Sequence, residues 1–269
     1  MDVGTPAIRT WKLMLHRHIS PKSTAHENAM SQVSPLFTSA DVQSYHRDGF
    51  YLARGIFHPQ ELTALKSHIV KLVAAEDPQR TAKGIRVWFA DELDSSLRNW
   101  VVDQRMITGL QSLVGPDVEF LSAKTIFKNS RVSFASPWHQ DWFYWKGSHK
   151  ITAWIALDQA NKANGCLKVI PASHHSIAQM VDVNDKKTFK KQMKSEEVEG
   201  RPILCLELEP GDVLFFHDLL AHSSYPNANG QNRWSFAPTY RNAAIPDDST
   251  TWKHSMLLCG SSINPTMQT

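Results

Sequence analysis

A histidine and an aspartate stand two residues apart in Pro137-Trp138-His139-Gln140-Asp141-Trp142-Phe143-Tyr144-Trp145, surrounded by aromatics. On a β-strand, positions i and i+2 project from one face, so this imidazole and this carboxylate can converge on a single point. Two ligands do not make a metal site. A histidine from elsewhere would complete an imidazole, imidazole, carboxylate set with open positions, the facial arrangement that suits non-haem Fe(II) and its oxygen chemistry. His222 is the best candidate, because it follows Pro210-Gly211-Asp212-Val213-Leu214-Phe215-Phe216, a turn feeding an apolar strand, and precedes a second turn.

Just beyond it, Asn229-Gly230 is a strong two-residue hairpin signal. If that hairpin forms, Ala237 lies opposite His222, and Arg233 looks into the same pocket from about 13 Å along the neighbouring strand, less the reach of its side chain. A guanidinium so placed suits bidentate capture of a carboxylate on a metal-bound cosubstrate. Ser224, two residues after His222, shares its face and can add a hydrogen bond. Pro226 sits inside this hairpin and is able to lengthen the loop and change the register.

The ordered segments WHQD with its aromatic tail, ITAWIALDQANKANGCLKVIPASHHS and PGDVLFFHDLLAHSSYPNANGQNRW together resemble the phytanoyl-CoA dioxygenase family of Fe(II)- and 2-oxoglutarate-dependent oxygenases, over about residues 39 to 242. HxD alone occurs often by chance. HxD, NGCL, P-x-SH, PGD, a distal histidine and an arginine eleven residues later, in that order, do not. The resemblance implies a mainly β, α+β fold: a double-stranded β-helix, or jelly-roll, core with N-terminal helices packed outside. It also implies His139, Asp141 and His222 as the iron ligands and catalytic centre, Arg233 as partner of the far carboxylate of 2-oxoglutarate with Ser224 beside it, and Trp154 near the cosubstrate. The cofactor set would be Fe(II), 2-oxoglutarate and O2. The reaction would be oxidation, most simply hydroxylation, of a C–H bond of a small-molecule substrate, with succinate and CO2 as co-products. Related halogenases carry a small residue in place of the carboxylate, so Asp141 argues for a chloride-free oxidation. Desaturation or cyclisation of a natural-product intermediate would use the same iron site. Pro171-Ala172-Ser173-His174 departs from the family's PGSH at Ala172, which affects a turn and leaves the ligands intact.

Other classes compete. The same ligands would serve a metal-binding but non-catalytic jelly-roll sensor or scaffold, or a zinc hydrolase whose activity needs neither O2 nor 2-oxoglutarate. A lone strand histidine beside aromatics is more often packed core than ligand, and the ordered motif set is what outweighs that reading for His139 and His222. His217-Asp218 offers a rival pair, but neighbouring strand residues point to opposite faces, which makes a poor chelate. His174, His175 and His149 lack a partner pattern and read as structural or surface residues. For the substrate side, Phe143 and Trp145 share strand parity with His139 and Asp141, and Tyr144 joins them if the strand ends there. Ser122, Lys124, Ile126 and Lys128 share one face of the preceding strand. Lys124 is placed to hold an anionic group, or else to face solvent; Arg86 and Trp88 would form a rim.

These residues need a scaffold, and 269 residues with 42% apolar and 20% charged content make one large domain or two small ones. The net charge of +3 comes from scattered basic residues, which argues against nucleic acid as a partner, and no apolar run suits membrane insertion. Cys166, Cys205 and Cys259 are odd in number and form no CxxC, as expected of an intracellular, cytoplasmic protein. The basic, acid-poor residues 1–36 read as a flexible arm, with an organelle transit peptide as the alternative. Residues 37–269 read as a single oxygenase domain. Its first half should be helical: a capped helix from Thr38 or Ser39 to a stop at Gly49, an amphipathic helix from Pro59 to about Asp77, and a third over about 103 to 114. Strands then cover Val118 to Lys128, Ile151 to Leu157, Leu167 to Ile170, Ile203 to Leu208, Val213 to Phe216 and Trp234 to Tyr240. Between two of them, residues 179–201 carry a run of lysines and glutamates, a solvated loop or a lid over a pocket.

Overall fold

The computed structural model describes residues 36–81, 83–183, 189 and 191–263, so nearly all of the expected arm lies outside them. The elements run α1 (Ser39–Asp48), β1 (Phe50–Ala53), α2 (Pro59–Ala75), α3 (Pro78–Thr81), β2 (Ile85–Phe89), α4 (Ser95–Val101), α5 (Gln104–Val114) and β3 (Val118–Lys128). After them come α6 (Trp142–Trp145), β4 (Lys150–Ala156), β5 (Leu167–Val169), β6 (Met180–Asp182), β7 (Lys191–Met193), β8 (Leu204–Leu206), β9 (Val213–His217), β10 (His222–Ser224), β11 (Arg233–Asn242) and β12 (Met256–Cys259).

Local chemistry sets the helix ends. Asp41 N donates to Thr38 Oγ1 and Thr38 N donates to Asp41 Oδ2 at 2.8 Å, a closed capping box at the start of α1, which stops at Gly49 with φ +82°. Pro59 opens α2, whose buried stripe is Leu62, Leu65, Ile69 and Val73. The seven-residue α4 follows the N-cap Asp94 and buries only Leu97 and Val101, too short a pattern to announce a helix. No described helix is long and apolar enough to cross a membrane.

Among the described residues the strands form three sheets. The major sheet runs β1-β9-β4-β11-β3-β12, with β2 also on β3; the minor sheet runs β10-β5-β8; β6 and β7 make a separate ribbon. This is the jelly roll: two antiparallel sheets face each other, and helices cover the outer face of the larger one. Alternation along each strand sorts the side chains. On β9, Val213 and Phe215 join α2 and α5 in one core, while Leu214 and Phe216 join Trp154 of β4 and Leu167 of β5 in the other, between the sheets.

A β-bulge decides what β3 presents to that inner space. Thr239 pairs with Ser122 but Tyr240 pairs with Phe120, which leaves Leu121 extra. Val118 and Phe120 therefore pack on the helices together with Ala123 and Phe127, and Lys124 and Ile126 turn inward. The expected hairpin about Asn229-Gly230 does not form. β10 pairs with β5, His222 opposite Val169, while β11 pairs with β3 and β4, Arg233 opposite Lys128. The segment between β10 and β11 crosses from the minor to the major sheet, with Tyr225 N donating to Cys166 O and Asn227 N to Ser133 O. Pro226, with no N–H, suits such a crossing and not a paired strand.

The Pro210-Gly211-Asp212 turn that feeds β9 depends on its glycine. Gly211 has φ +99°, and a Cβ there would overlap the Phe57 carbonyl oxygen. Gly211→Ala is therefore expected to cost about 3 kcal/mol. That is about 6–12 °C in Tm for a chain of this size, read by thermal melting. A shift under about 2 °C would show that the turn can relax.

Candidate metal centre

His139 and His222 meet across a single bridge between the sheets. Each donates its backbone N–H to the other's carbonyl at 3.0 Å, which sets the two imidazole rings side by side with centroids 4.1 Å apart. His139 Nδ1 lies 2.8 Å from the Pro137 carbonyl and His222 Nδ1 lies 2.9 Å from the Leu220 carbonyl. Only an N–H can pair with a carbonyl, so both rings carry their proton on Nδ1 and turn the Nε2 lone pair inward. Asp141 Oδ1 completes the group, 3.5 Å from His139 Nε2 and 3.8 Å from His222 Nε2. All three side chains are buried. An ion with bonds of about 2.1 Å needs edges of about 3.0–3.4 Å, a gap that small side-chain rotations close.

The electrostatics keep these ligands ready. Burial, with His139 alongside, pushes the His222 imidazole down to about 3. Burial alone would raise the Asp141 carboxyl, but the Lys124 ammonium, 3.0 Å from Oδ2, and the two histidines outweigh it and hold it well below the carboxylate range. Metal therefore competes with few protons at neutral pH. Linkage gives a testable sign. The metal-free folded chain refuses a proton at His222 that the unfolded chain accepts near pH 6.5, so this contribution to stability is complete above 6.5 and lost as pH falls toward 3. Denaturant titrations of metal-free protein should lose about 1.4 kcal/mol per pH unit inside that window from this group; a flat profile between pH 6 and 4 would contradict the buried neutral imidazole.

Gln140, between the ligands, points the other way and anchors the turn. Its amide donates to the Ser176 and Leu219 carbonyls, and its oxygen accepts from Ala178 N. The chain leaves the strand here: Tyr144 N donates to Asp141 O, Lys146 N to Trp142 O, and α6 is one helical turn. Strand parity consequently does not apply to the aromatic tail. Phe143 and Trp145 lie outside the pocket lining; Trp145 packs on Trp252 and donates Nε1 to Asp218. Tyr144, an exposed side chain, is also absent from the lining, although its ring stands 6.2 Å from that of His139. Ser122 is also outside, its hydroxyl taken by Trp252 Nε1. Trp88 is core and Arg86 pairs with Glu76, so neither forms a rim.

A pocket opens from the three ligands. Lys124, Ile126, Trp154, Ser224 and Arg233 line it, joined by Ile85, Phe134, Ser136, Leu167, Phe189 and Phe216, which sequence reasoning did not pick out. Phe189 comes from the lysine-rich segment 179–201, which carries the β6–β7 ribbon, and its ring lies 4.6 Å from that of His139. At the opposite end Arg233 is 1% exposed, stacks over Trp154 at 5.5 Å and, among the described residues, donates only to the Ile126 carbonyl, at 3.4 Å, its Nε having no partner there. Burial pushes this guanidinium down to about 10. Lys128, opposite it on β3, is pushed down to about 6 by burial and then by Arg233, and it donates to Ser224 Oγ at 2.7 Å. A buried guanidinium without an anion is costly to the fold and leaves a place for a carboxylate.

The adjacent pair His217-Asp218 differs from its expectation too. β9 ends at His217, and Nδ1 lies 3.3 Å from Asp218 Oδ1, so the two side chains meet. Cys166 and Cys205, distant in sequence, come within 3.2 Å, sulfur to sulfur, as free thiols.

The chain matches the family model "Phytanoyl-CoA dioxygenase (PhyH)" over residues 45–235. It is 24% identical over 217 residues to the ectoine dioxygenase of Bordetella parapertussis, covering 70% of each chain. It is 26% identical over 232 residues to dioxygenase lolE1 of Epichloe uncinata, covering 79% of this chain and 86% of that one. Its fold is similar to the crystal structure of the epimerase SnoN in complex with Fe3+, alpha ketoglutarate and nogalamycin RO, with a TM-score of 0.63, 21% identity, and coverage of 76% of this chain and 83% of that one. Iron, 2-oxoglutarate and O2 are the cofactor set of this family, and the His-His-Asp cluster, with a buried guanidinium whose Nε has no partner, suits them. The chain thus belongs to the phytanoyl-CoA dioxygenase family.

Proposed function

We propose that the protein is an Fe(II)- and 2-oxoglutarate-dependent dioxygenase that hydroxylates a C–H bond of a small, largely apolar molecule and releases succinate and CO2. The observation that carries this reading is a single pocket with a three-sided ligand set at one end and a buried, anion-less guanidinium at the other. His139, Asp141 and His222 would hold the metal on one face. Bound iron would supply the activation of O2 and the oxidation of the C–H bond. Arg233 would grip the far carboxylate of 2-oxoglutarate, with Trp154 against its chain and Ser224, fixed by Lys128 and by Ser136 Oγ at 2.7 Å, beside it.

The remaining wall would hold the substrate. Phe134, Phe189, Phe216 and Ile85 offer apolar contact and exclude water, and the β6–β7 ribbon contributes by presenting Phe189 over the metal side. Lys124 is tied to Asp141 and its ammonium lies 5.4 Å over the Trp145 ring, so its main task would be to hold Asp141 ionised and in place. Anaerobic addition of 2-oxoglutarate to the Fe(II)-loaded protein should produce a visible metal-to-ligand charge-transfer band, and admission of air should release succinate. Loss of neither iron nor 2-oxoglutarate having any effect on activity would sink the reading. Product analysis once a substrate is found would distinguish hydroxylation from desaturation or cyclisation.

A further inference from the structure

A second group of metal-binding atoms lies outside the pocket, where β9 ends. His149, His217 and Asp218 each offer a ligand atom, and these lie within 4.8 Å of one another. Asp218 Oδ1 is 3.4 Å from His149 Nδ1 and 3.3 Å from His217 Nδ1. Those are the edge lengths of a tetrahedron with metal–ligand bonds of about 2.0–2.1 Å.

The hydrogen bonding leaves that point unsatisfied. Asp218 is fully buried; its Oδ2 accepts from Trp145 Nε1 at 2.8 Å and from Lys150 N at 3.1 Å, but Oδ1 has no hydrogen-bond partner. His217 Nδ1 accepts from the Leu219 N–H at 3.1 Å, so it carries a lone pair and not a proton. Two electronegative atoms with no proton between them thus lie 3.3 Å apart, a contact that a cation would make favourable once it takes the Nδ1 lone pair over from the Leu219 N–H. His149 Nδ1 lies 3.4 Å from Oδ1 with poor alignment, and the pull of Asp218 raises the His149 imidazole, so a proton there is what a metal would displace. His149 is 58% exposed and gives access from solvent. His174 stands at the rim, its ring 5.3 Å from that of His217, with Nδ1 also buried and unpartnered.

We propose that His149, His217 and Asp218 form a second divalent-metal site of the zinc type, with water or His174 at the fourth position. Two imidazoles and one carboxylate make a borderline donor set that favours zinc over magnesium or calcium. The site would act as a staple. Asp218 O accepts from Trp142 N at 3.0 Å and Asp218 N donates to Lys150 O at 3.0 Å, so this residue ties the turn carrying Asp141 to the start of β4. A metal on Oδ1 would fix that tie from behind without touching substrate.

The test uses the chelator-stripped full chain, titrated with Co2+ and followed by metal analysis after dialysis and by visible absorption. The wild-type chain should bind two equivalents, His149→Ala one and His222→Ala one, with the second-site affinity falling at least tenfold in His149→Ala. His149 is exposed, so its replacement leaves the fold intact, and Zn2+ should raise the Tm of His222→Ala but not of the double variant. One equivalent in the wild type, or two in His149→Ala, would overturn the proposal. Loss of the equivalent assigned to His222, with the other retained, would test the first centre separately.

Discussion

Asp141→Ala is expected to abolish metal binding at the pocket and, with it, 2-oxoglutarate turnover, by at least about 10³-fold, or roughly 4 kcal/mol of transition-state stabilisation. The argument is one of charge and count. Asp141 is the one carboxylate that faces His139 and His222 in that cluster, and it is the counterion of Lys124. Its removal leaves two imidazoles and the Lys124 ammonium around the place an Fe(II) ion would take, so a ligand is lost and a repulsion is added. Asp141→Asn keeps the shape and removes the charge, and should fail nearly as completely. His222→Ala removes a different ligand without disturbing Lys124, and should give the same loss from the other side of the site. Succinate release and bound iron, measured on samples whose circular dichroism matches the wild type, check all three. A variant that keeps more than about a tenth of the activity would move the ligand role to another residue.

How far the sequence led can be judged residue by residue. The first half was legible because helices announce themselves locally: Thr38 with Asp41, Pro59 with its i, i+3, i+7, i+11 stripe, and Gly49 are all signals within a few residues of what they control. His139, Asp141 and His222 were legible as types at a spacing, although the physical reason offered for the first two was only half right. They converge because the chain turns after His139, not because a strand continues through Asp141, and so the parity that placed Phe143 and Trp145 in the pocket had nothing to act on. Arg233 does line the pocket, but on β11 between β3 and β4 and not across a hairpin from His222. Register between distant strands depends on which sheet each joins, and that is decided by tertiary packing. Phe216 was hidden for a related reason: β9 is buried on both faces and apolar from Val213 to Phe216, so alternation carries no information there, while Leu167 sits on a three-residue strand too short to say which sheet it joins. The bulge at Leu121, which turns Lys124 and Ile126 inward, has no glycine or proline to mark it. Phe189 stands among lysines, and only the path of the 179–201 segment brings it to His139.

Arg233→Met should separate stability from function, raising one while removing the other. In the protein without cosubstrate the guanidinium is buried, is pushed down to about 10 by burial, lies opposite Lys128, which is itself pushed down to about 6, and has an Nε with no partner among the described residues. Replacing such a charge by an apolar side chain of similar length is commonly neutral or stabilising. The cation–π contact with Trp154 and the long bond to the Ile126 carbonyl would be lost, which offsets part of the gain. We expect a net gain of about 1–2 kcal/mol, or roughly 2–8 °C in Tm, for the metal-free, cosubstrate-free chain. Relief of the Arg233 repulsion should also raise Lys128 somewhat from about 6, while burial, the larger cause, keeps it below its ordinary range. The effect on cosubstrate is opposite in sign. A carboxylate entering this pocket would find no guanidinium, and truncating one member of a buried charge pair costs about 2–5 kcal/mol, so the Kd for 2-oxoglutarate should rise about 30-fold or more. Differential scanning with and without 2-oxoglutarate reads both at once: the variant should start higher and gain nothing from the ligand, where the wild type starts lower and gains several degrees. A purely structural Arg233 would give the reverse pattern, a lower starting Tm with the response to 2-oxoglutarate intact, because its removal would then cost packing and leave the carboxylate partner elsewhere.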